Sequence, residues 1–212
     1  MNQSGLLHGK RALVFGAGGS IGSAVAREFA VEGAEVFVSG RNRARLEDVG
    51  RQIVTAGGRV HTAVVDALDE SAVTTYVDAI AAKAGGIDIE FNAVGPYPTE
   101  YGNGKLAVDL SVEEYMVPLE TIVKPRFITA RVAARHMIKQ RSGVIIGLTG
   151  SPARGHIAGG TAIGTAFGAI ETFLENLAFE LGPNRVRVVC PRTTANTDSK
   201  RYSRYGAGDE RA

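Results

Sequence analysis

A glycine-rich stretch near the start of the chain is the first feature whose residue types indicate chemistry. It reads Gly16-Ala17-Gly18-Gly19-Ser20-Ile21-Gly22 and lies between a strand-like run that ends at Phe15 and a helix-like segment. Backbone amides in such a turn, together with the start of the following helix, converge on a diphosphate. We therefore expect a dinucleotide site here, and the alternative is a tight turn that only allows close helix packing. The expected contact residues are Gly16, Gly18, Ser20, Ile21 and Gly22.

Arg41 follows the second strand-like run, where folds of this kind discriminate between the two nicotinamide dinucleotides. A carboxylate there would bind the ribose 2′-hydroxyl of NAD(H). Because an arginine can instead form a bidentate pair with a phosphate, Arg41 favours NADP(H) over NAD(H). The alternative is that Arg41 is a solvated residue at a helix start. Asp66, after the third run, is expected either to accept a hydrogen bond from the adenine amino group or to cap the next helix.

Apolar runs of strand length alternate with longer amphipathic segments along most of the chain. This alternation is typical of a parallel sheet with crossover helices. The Val- and Ile-rich runs are continuous, which predicts strands covered on both faces. We expect an α/β fold, a Rossmann-type doubly wound parallel sheet of about six strands with helices on both faces. The strands are predicted to begin near Arg11, Glu35, Arg59, Asp88, Gly143 and Arg185.

The predicted helices span residues 21–32, 44–56, 70–84, 111–140 and 161–181. Ser111 followed by Glu114 predicts a capping box, while Pro118 and Pro125 predict a kink or a break in the fourth helix. Residues 95–109 form the one long loop, and such loops tend to carry function. Left-handed residues are expected at the helix ends marked by Gly33, Gly57 and Gly85.

Length and composition predict one domain over residues 1–212. The chain is 44% apolar, and its 24 basic side chains nearly balance its 22 acidic ones. This balance argues against nucleic acid and a membrane surface as partners. Residues 192–212 are expected to form a partly ordered tail whose charges are solvated. We predict no metal site.

Cysteine usage and the N-terminal residues predict a cytoplasmic protein. Cys190 is the only cysteine, so it cannot form an internal disulfide, and its apolar surroundings predict a buried side chain. Leu6 and Leu7 precede Lys10 and Arg11, which is the wrong order for a secretory signal. No apolar run approaches the ~18 residues that a membrane span needs.

From about Lys10 to Pro191 these residues resemble the short-chain dehydrogenase/reductase family. The glycine motif of that family reads TGxxxGxG, and here Phe15 replaces the threonine and Ser20 the middle glycine. Asn92-Ala93-Val94-Gly95 resembles the family's Asn-Asn-Ala-Gly, which implies that Asn92 and Gly95 border the cofactor. The resemblance also implies an oxidoreductase acting on a small alcohol or carbonyl, and a homo-oligomer formed through the fourth and fifth helices.

The residues aligned with the family's catalytic positions are all unsuited to the family's chemistry. The YxxxK motif falls on Ile163 and Phe167, the serine position on Gly150 and the helix-four asparagine position on Ile122. In the family a tyrosine, whose pKa of about 10 is lowered by the lysine, gives a proton to the forming alkoxide. Ile163 has no proton to give. Ordinary family chemistry is therefore not expected.

Two side chains near the vacated positions are candidate substitutes. Ser151 adjoins Gly150 and could polarise a carbonyl, while His156 carries the ring best suited to proton transfer near neutral pH. Tyr101 and Lys105 match YxxxK by letter, but the glycines between them argue against a helix. Tyr97 and Tyr101 could still touch a ligand. Two functions remain open: an NADP(H)-dependent oxidoreductase with weak or altered chemistry, or a non-catalytic NADP(H) sensor or partner subunit.

The resemblance also implies a helix and a seventh strand beyond the sixth. The sequence ends at Ala212, either because the tail is naturally short or because the reading frame was cut, and the family's Pro-Gly becomes Pro191-Arg192. If the seventh strand is missing, an edge of the sheet is left unpaired.

Overall fold

Six parallel strands form the central sheet in the computed structural model, which describes residues 5–96 and 98–194. The strands are β1 Arg11–Phe15, β2 Glu35–Gly40, β3 Arg59–Val64, β4 Ile89–Asn92, β5 Gly143–Gly147 and β7 Val186–Val189. Their order in the sheet is β3-β2-β1-β4-β5-β7. The order reverses between β1 and β4, and the carboxyl ends of those two strands border the crevice in which such sheets bind ligands. This architecture confirms the predicted fold class and the six strands.

A second, two-stranded parallel sheet lies beyond β5. In it, β6 (Thr149–Gly150) pairs with β8 (Arg192–Thr193). The Thr149 amide donates to the Pro191 carbonyl at 3.0 Å, and the Thr193 hydroxyl donates to the Thr149 carbonyl at 3.2 Å. The segment that follows β7 is thereby fixed beside Gly150.

The helices begin and end near the predicted residues because their capping signals form. The side chains of Asn42, Asp69 and Ser111 cap three helix starts, the last in a capping box with Glu114. The predicted left-handed glycines have φ values of +90° at Gly33, +80° at Gly57 and +77° at Gly85. The helices are α1 Ser20–Val31, α2 Arg43–Thr55, α3 Glu70–Ala84, α4 Val112–Pro118, α5 Lys124–Gln140 and α6 Thr161–Leu181.

The predicted fourth helix is broken, as its prolines indicated. It divides into α4 and α5, which are joined by a π-helical turn at Leu119–Val123. Pro118 ends α4, and Pro125 is the second residue of α5, where the absence of an N–H is tolerated. The wide turn between them places Ile122 in the interior.

Two apolar layers cover the faces of the sheet. Leu13 and Phe15 of β1 pack with buried residues of α3, α5 and α6, while Val14 packs with α1 and α2. Each fully buried side chain of this size stabilises the fold by roughly 1.5–3 kcal/mol. In the described part of the chain, every helix is too short or too polar to span a bilayer.

Two burial predictions were wrong at the edges of the sheet. β3 is one edge strand, and Thr62 and Val64 on it are exposed rather than covered on both faces. β7 is the outer described strand on the other side, and Cys190 directly after it is exposed rather than buried. An edge strand has a neighbour on one side only, so its apolar composition does not guarantee burial.

Candidate functional site

The glycine turn is shaped so closely that side chains cannot be added at two of its positions. Gly16 has a φ of +74°, and a Cβ there would lie 2.9 Å from the Val94 nitrogen. At Gly22 a Cβ would lie 2.4 Å from the Gly16 carbonyl oxygen. α1 begins at Ser20 without a side-chain cap, so its first amides face the crevice end of the helix. These observations fit a diphosphate held by backbone amides.

Two arginines lie beside this turn. Arg41 is exposed just after β2, as expected of a side chain that meets a 2′-phosphate. Arg45 lies closer to the turn, since its own Cβ is 3.3 Å from where a Cβ on Gly18 would be. The Asn42 side chain accepts from the Arg45 amide and fixes this start of α2. Arg45 was not predicted, and its only signal in the sequence was its place in the first turn of the helix after β2.

The other expected cofactor residues occupy the same edge of the sheet with different roles. The Asp66 carboxylate accepts from the Leu68 amide at 3.0 Å, whereas Asp69 caps α3. The capping alternative for Asp66 was therefore wrong. Asn92 is 1% exposed, and its side chain bonds Thr129 and the Val94 amide. Its hydrogen bond to Val94 stabilises the loop after β4, and Gly95 is exposed on that loop.

The four positions that the sequence aligned with the family's catalytic residues, which we call the vacated positions, are filled by apolar packing. Ile122 and Ile163 are buried in one cluster, which we call the site cluster, and Phe167 packs against it. The Phe167 ring also covers Gly150, where a Cβ would lie 2.7 Å from Cε2. Three of the four positions are thus occupied by apolar side chains and the fourth by a glycine beneath a ring. The buried members of the site cluster are Tyr101, Ile122, Ala162, Ile163, Ala166, Ile170 and Leu174.

The substitute candidates Ser151 and His156 lie in the loop between β6 and α6. Ser151 is half-buried and begins a short 3-10 turn, and its carbonyl accepts from the Arg154 and Gly155 amides. His156 is exposed. Within residues 98–194, no hydrogen bond joins their side chains. The structure therefore brings them to one loop without assembling them into a catalytic pair.

The Tyr101 loop is not a helix, as its glycines predicted. Gly102 and Gly104 have φ values of +61° and +89°, and the Lys105 ammonium binds Glu114 instead of the tyrosine. Tyr101 is buried in the site cluster, and burial raises its pKa to about 12. The Gly104 amide donates to the Gly159 carbonyl, which fastens this loop to the one before α6. Tyr97 lies outside the described residues.

A buried carboxylate next to the vacated positions holds two arginines. Glu171 on α6 accepts two hydrogen bonds from Arg192, at 2.8 and 2.9 Å, and one from Arg154 at 2.9 Å. The Thr149 hydroxyl donates at 3.3 Å. The Arg192 hydrogen bonds are the main reason that the pKa of Glu171 falls to about 2. The expectation that Arg192 is a solvated tail residue was wrong, because it binds this carboxylate.

Known proteins are similar to this chain in sequence and in architecture. The sequence profile of the short chain dehydrogenase family matches residues 10–206. The short-chain reductase protein NovJ of Streptomyces niveus is 34% identical over 177 residues, which cover 84% of this chain and 65% of NovJ. The chain thus spans less than two thirds of that relative's length.

Two solved structures show the same fold. A metagenomic short-chain oxidoreductase in complex with NADP superposes with a TM-score of 0.80 at 26% identity, over 88% of this chain and 82% of that one. An NAD+-bound xylitol dehydrogenase superposes with a TM-score of 0.83 at 29% identity, over 92% and 75%. With most of its length matched by the family profile, this chain belongs to the short-chain dehydrogenase family.

Proposed function

We propose that this protein binds NADP(H) at the glycine turn, with the 2′-phosphate held by Arg41 and Arg45. The cradle between Gly16 and Gly22, which a single Cβ would fill, supports the diphosphate site. The two arginines beside it, with no carboxylate between Gly40 and Arg45, support the preference over NAD(H). Asp66 and Gly95 are proposed to border the adenine and nicotinamide ends respectively, while Asn92 acts through the loop that it supports.

Titration with NADPH and NADH, followed by nicotinamide fluorescence, tests this preference. Arg41→Ala should weaken NADPH binding about tenfold, because a charge-assisted hydrogen bond to phosphate is lost, and should leave NADH binding nearly unchanged. Arg51→Ala is the matched control, since Arg51 lies on α2, the helix that follows Arg41, but pairs with Asp48. Equal losses for NADPH and NADH in Arg41→Ala would contradict the 2′-phosphate assignment.

We propose further that the protein binds the dinucleotide without the family's usual turnover, as a sensor or a partner subunit. The carrying observation is that the Phe167 ring lies on Gly150 while Ile122 and Ile163 are buried beside it. A phenyl ring donates no hydrogen bond to a ribose, and an isoleucine donates no proton to an alkoxide. Under this proposal, NADPH binds tightly and is not oxidised in the presence of ketones or aldehydes.

A second candidate is an oxidoreductase of altered chemistry that acts on a small alcohol or carbonyl. Ser151 and His156 favour it, because both lie in the loop directly after the vacated serine position. In that reaction the bound dinucleotide would supply the hydride for the carbonyl carbon, and His156 would give the proton to the carbonyl oxygen. NADPH oxidation that is abolished by both Ser151→Ala and His156→Ala would select this candidate over the first.

The proposal includes a small-molecule ligand, a cytoplasmic location and a homo-oligomer. The oligomer is supported by apolar side chains exposed on α5 and α6, namely Phe127, Ile138 and Phe179. Light scattering of the full chain and of Phe179→Ser tests it, and a monomeric wild-type protein would contradict it.

A further inference from the structure

A buried pair of opposite charges lies between β4 and α5, behind the loop that contains Val94 and follows β4. Glu90 is 1% exposed and Arg126 is 5% exposed. Glu90 lies in register with Leu13 of β1 on one side and Ile145 of β5 on the other, so its strand neighbours offer it no polar contact. A carboxylate in such a position is costly unless it is compensated.

Arg126 reaches the loop that borders the glycine turn. Its Nη1 donates to the Val94 carbonyl at 2.8 Å and to the Ile122 carbonyl at 3.1 Å. The Val94 amide donates to the Asn92 side chain at 2.8 Å. Val94 is thus held from both sides, and its nitrogen and the Ala93 carbonyl carbon are the atoms nearest to a Cβ placed on Gly16. Val94 therefore links the Arg126 guanidinium to the glycine turn that is proposed to hold the diphosphate.

Glu90 belongs to the same polar network. The Thr129 hydroxyl accepts from Asn92 at 2.9 Å and hydrogen-bonds Glu90. Oε1 of Glu90 and Nε of Arg126 are buried without hydrogen-bond partners among the described residues. Over the ranges that the structure describes, the two side chains form no direct ion pair or hydrogen bond with each other, so their opposite charges interact only at longer range across the strand-helix interface.

The two groups differ in how they respond to pH. Burial raises the pKa of Glu90 to about 7, against the opposing effects of Thr129 and Arg126. Burial lowers the pKa of Arg126 to about 10, against the opposing effects of Glu90 and of Cys190, which directly follows β7. Arg126 consequently stays charged near neutral pH, and Glu90 is the member of the pair whose charge changes.

We propose that Arg126 is a positioning residue that holds the Val94 loop against the glycine turn, and that Glu90 is the buried counter-charge that keeps Arg126 in place. This inference rests on the proposed dinucleotide binding. When Glu90 takes up a proton, the guanidinium loses its counter-charge and holds the loop less firmly. Dinucleotide affinity therefore depends on a carboxylate that never touches the cofactor.

The first test measures NADPH affinity by fluorescence near pH 6 and near pH 8 for the wild type and Glu90→Gln. Near pH 8 the variant should bind about fivefold more weakly, and near pH 6 it should match the wild type, whose Glu90 is then protonated. Glu180→Gln, an exposed carboxylate at the end of α6, is the control and should follow the wild type at both pH values. A variant-to-wild-type ratio that is the same at both pH values would overturn the proposal, because a merely structural role predicts that result.

The second test needs no cofactor. Hydrogen exchange of the Val94 amide should be about tenfold faster in Arg126→Met, with an intermediate rate in Arg126→Lys, which keeps the charge but not the planar guanidinium that reaches both carbonyls. If Arg126→Met does not fold, Glu90→Gln near pH 8 takes its place. An unchanged exchange rate would show that Arg126 does not hold the Val94 loop and would overturn the proposal. A wild-type protein that binds no NADPH would contradict the proposed function, while the exchange rates would still decide whether Arg126 holds the loop.

Discussion

The ring of Phe167 lies against Gly150 so closely that the two residues constrain each other. A Cβ on Gly150 would be 2.7 Å from Cε2 of the ring and 3.1 Å from Cδ2. Phe167 is held in turn by the site cluster, to which Ile122 and Ile163 belong. A large apolar side chain at position 167 therefore requires the absence of a side chain at position 150.

Substitution of Gly150 should reveal this coupling. Gly150→Ser should lower the free energy of unfolding by about 1–3 kcal/mol, because the added atoms overlap the Phe167 ring. In a Phe167→Ala background the same serine should cost much less, giving an interaction energy of about 1–2 kcal/mol in a double-mutant cycle measured by urea unfolding. Gly168→Ala is the control, since no atom lies within 4 Å of its Cβ position. Additive effects of the two substitutions would contradict the contact.

Gly22→Ala should abolish NADPH binding and destabilise the fold. The new methyl group would lie 2.4 Å from the Gly16 carbonyl oxygen, so the glycine turn and the start of α1 must separate. Fluorescence titration and thermal unfolding measure the two effects. Gly19→Ala provides the comparison, because its Cβ would be 3.4 Å from the same oxygen, and it should leave the unfolding temperature nearly unchanged. Normal binding by Gly22→Ala would refute the tight turn.

Glu171 should make the protein less stable in acid. Its pKa is lowered to about 2 by Arg192 and Arg154, so the folded protein binds this proton less readily than the unfolded chain does. The stabilisation is present above the ordinary pKa of 4.5 and is lost as the pH falls towards 2. Urea unfolding between these values should show a shallower loss of stability in Glu171→Gln. If Glu171→Gln lost stability in acid as steeply as the wild type does, the ion pairs of Glu171 with Arg192 and Arg154 would contribute nothing to stability.

Glu90 should make the protein less stable as the pH rises, which is the opposite of the effect of Glu171. Its folded-state pKa of about 7 lies above the ordinary 4.5, so its contribution is fully present below pH 4.5 and declines as the pH rises through 7. The decline is up to about 3 kcal/mol. Glu90→Gln should flatten the fall in unfolding free energy over this range, whatever its stability at a single pH. A steep fall that persists in the variant would assign the titration to another group.

The sequence predicted the elements well where a local signal fixes an end. The end of α3 follows from Gly85 and the bounds of α6 from its apolar period, whereas the cap of α3 at Asp69 was not predicted. The break near Pro118 was also predicted. Its π-helical form was not, because it depends on how Ile122 is accommodated in the site cluster rather than on any nearby residue.

The site was predictable in part. Glycines at fixed spacing reveal a cradle because backbone geometry is local. Arg192 and Cys190 were misjudged, because exposure and ion pairing there depend on which strand lies at the edge and which carboxylate lies across from it. The Glu90–Arg126 pair left one visible trace, a charged residue between the apolar Ile89 and Phe91 of a buried strand.

The packing around Ile122, Ile163 and Phe167 limits how catalytic residues of the family type could be introduced here. An asparagine at position 122 or a tyrosine at position 163 would place a polar group inside a buried and mostly apolar cluster. Each such single substitution should therefore lower stability. Side chains of that kind could be engineered into this site only together with a repacking of the site cluster.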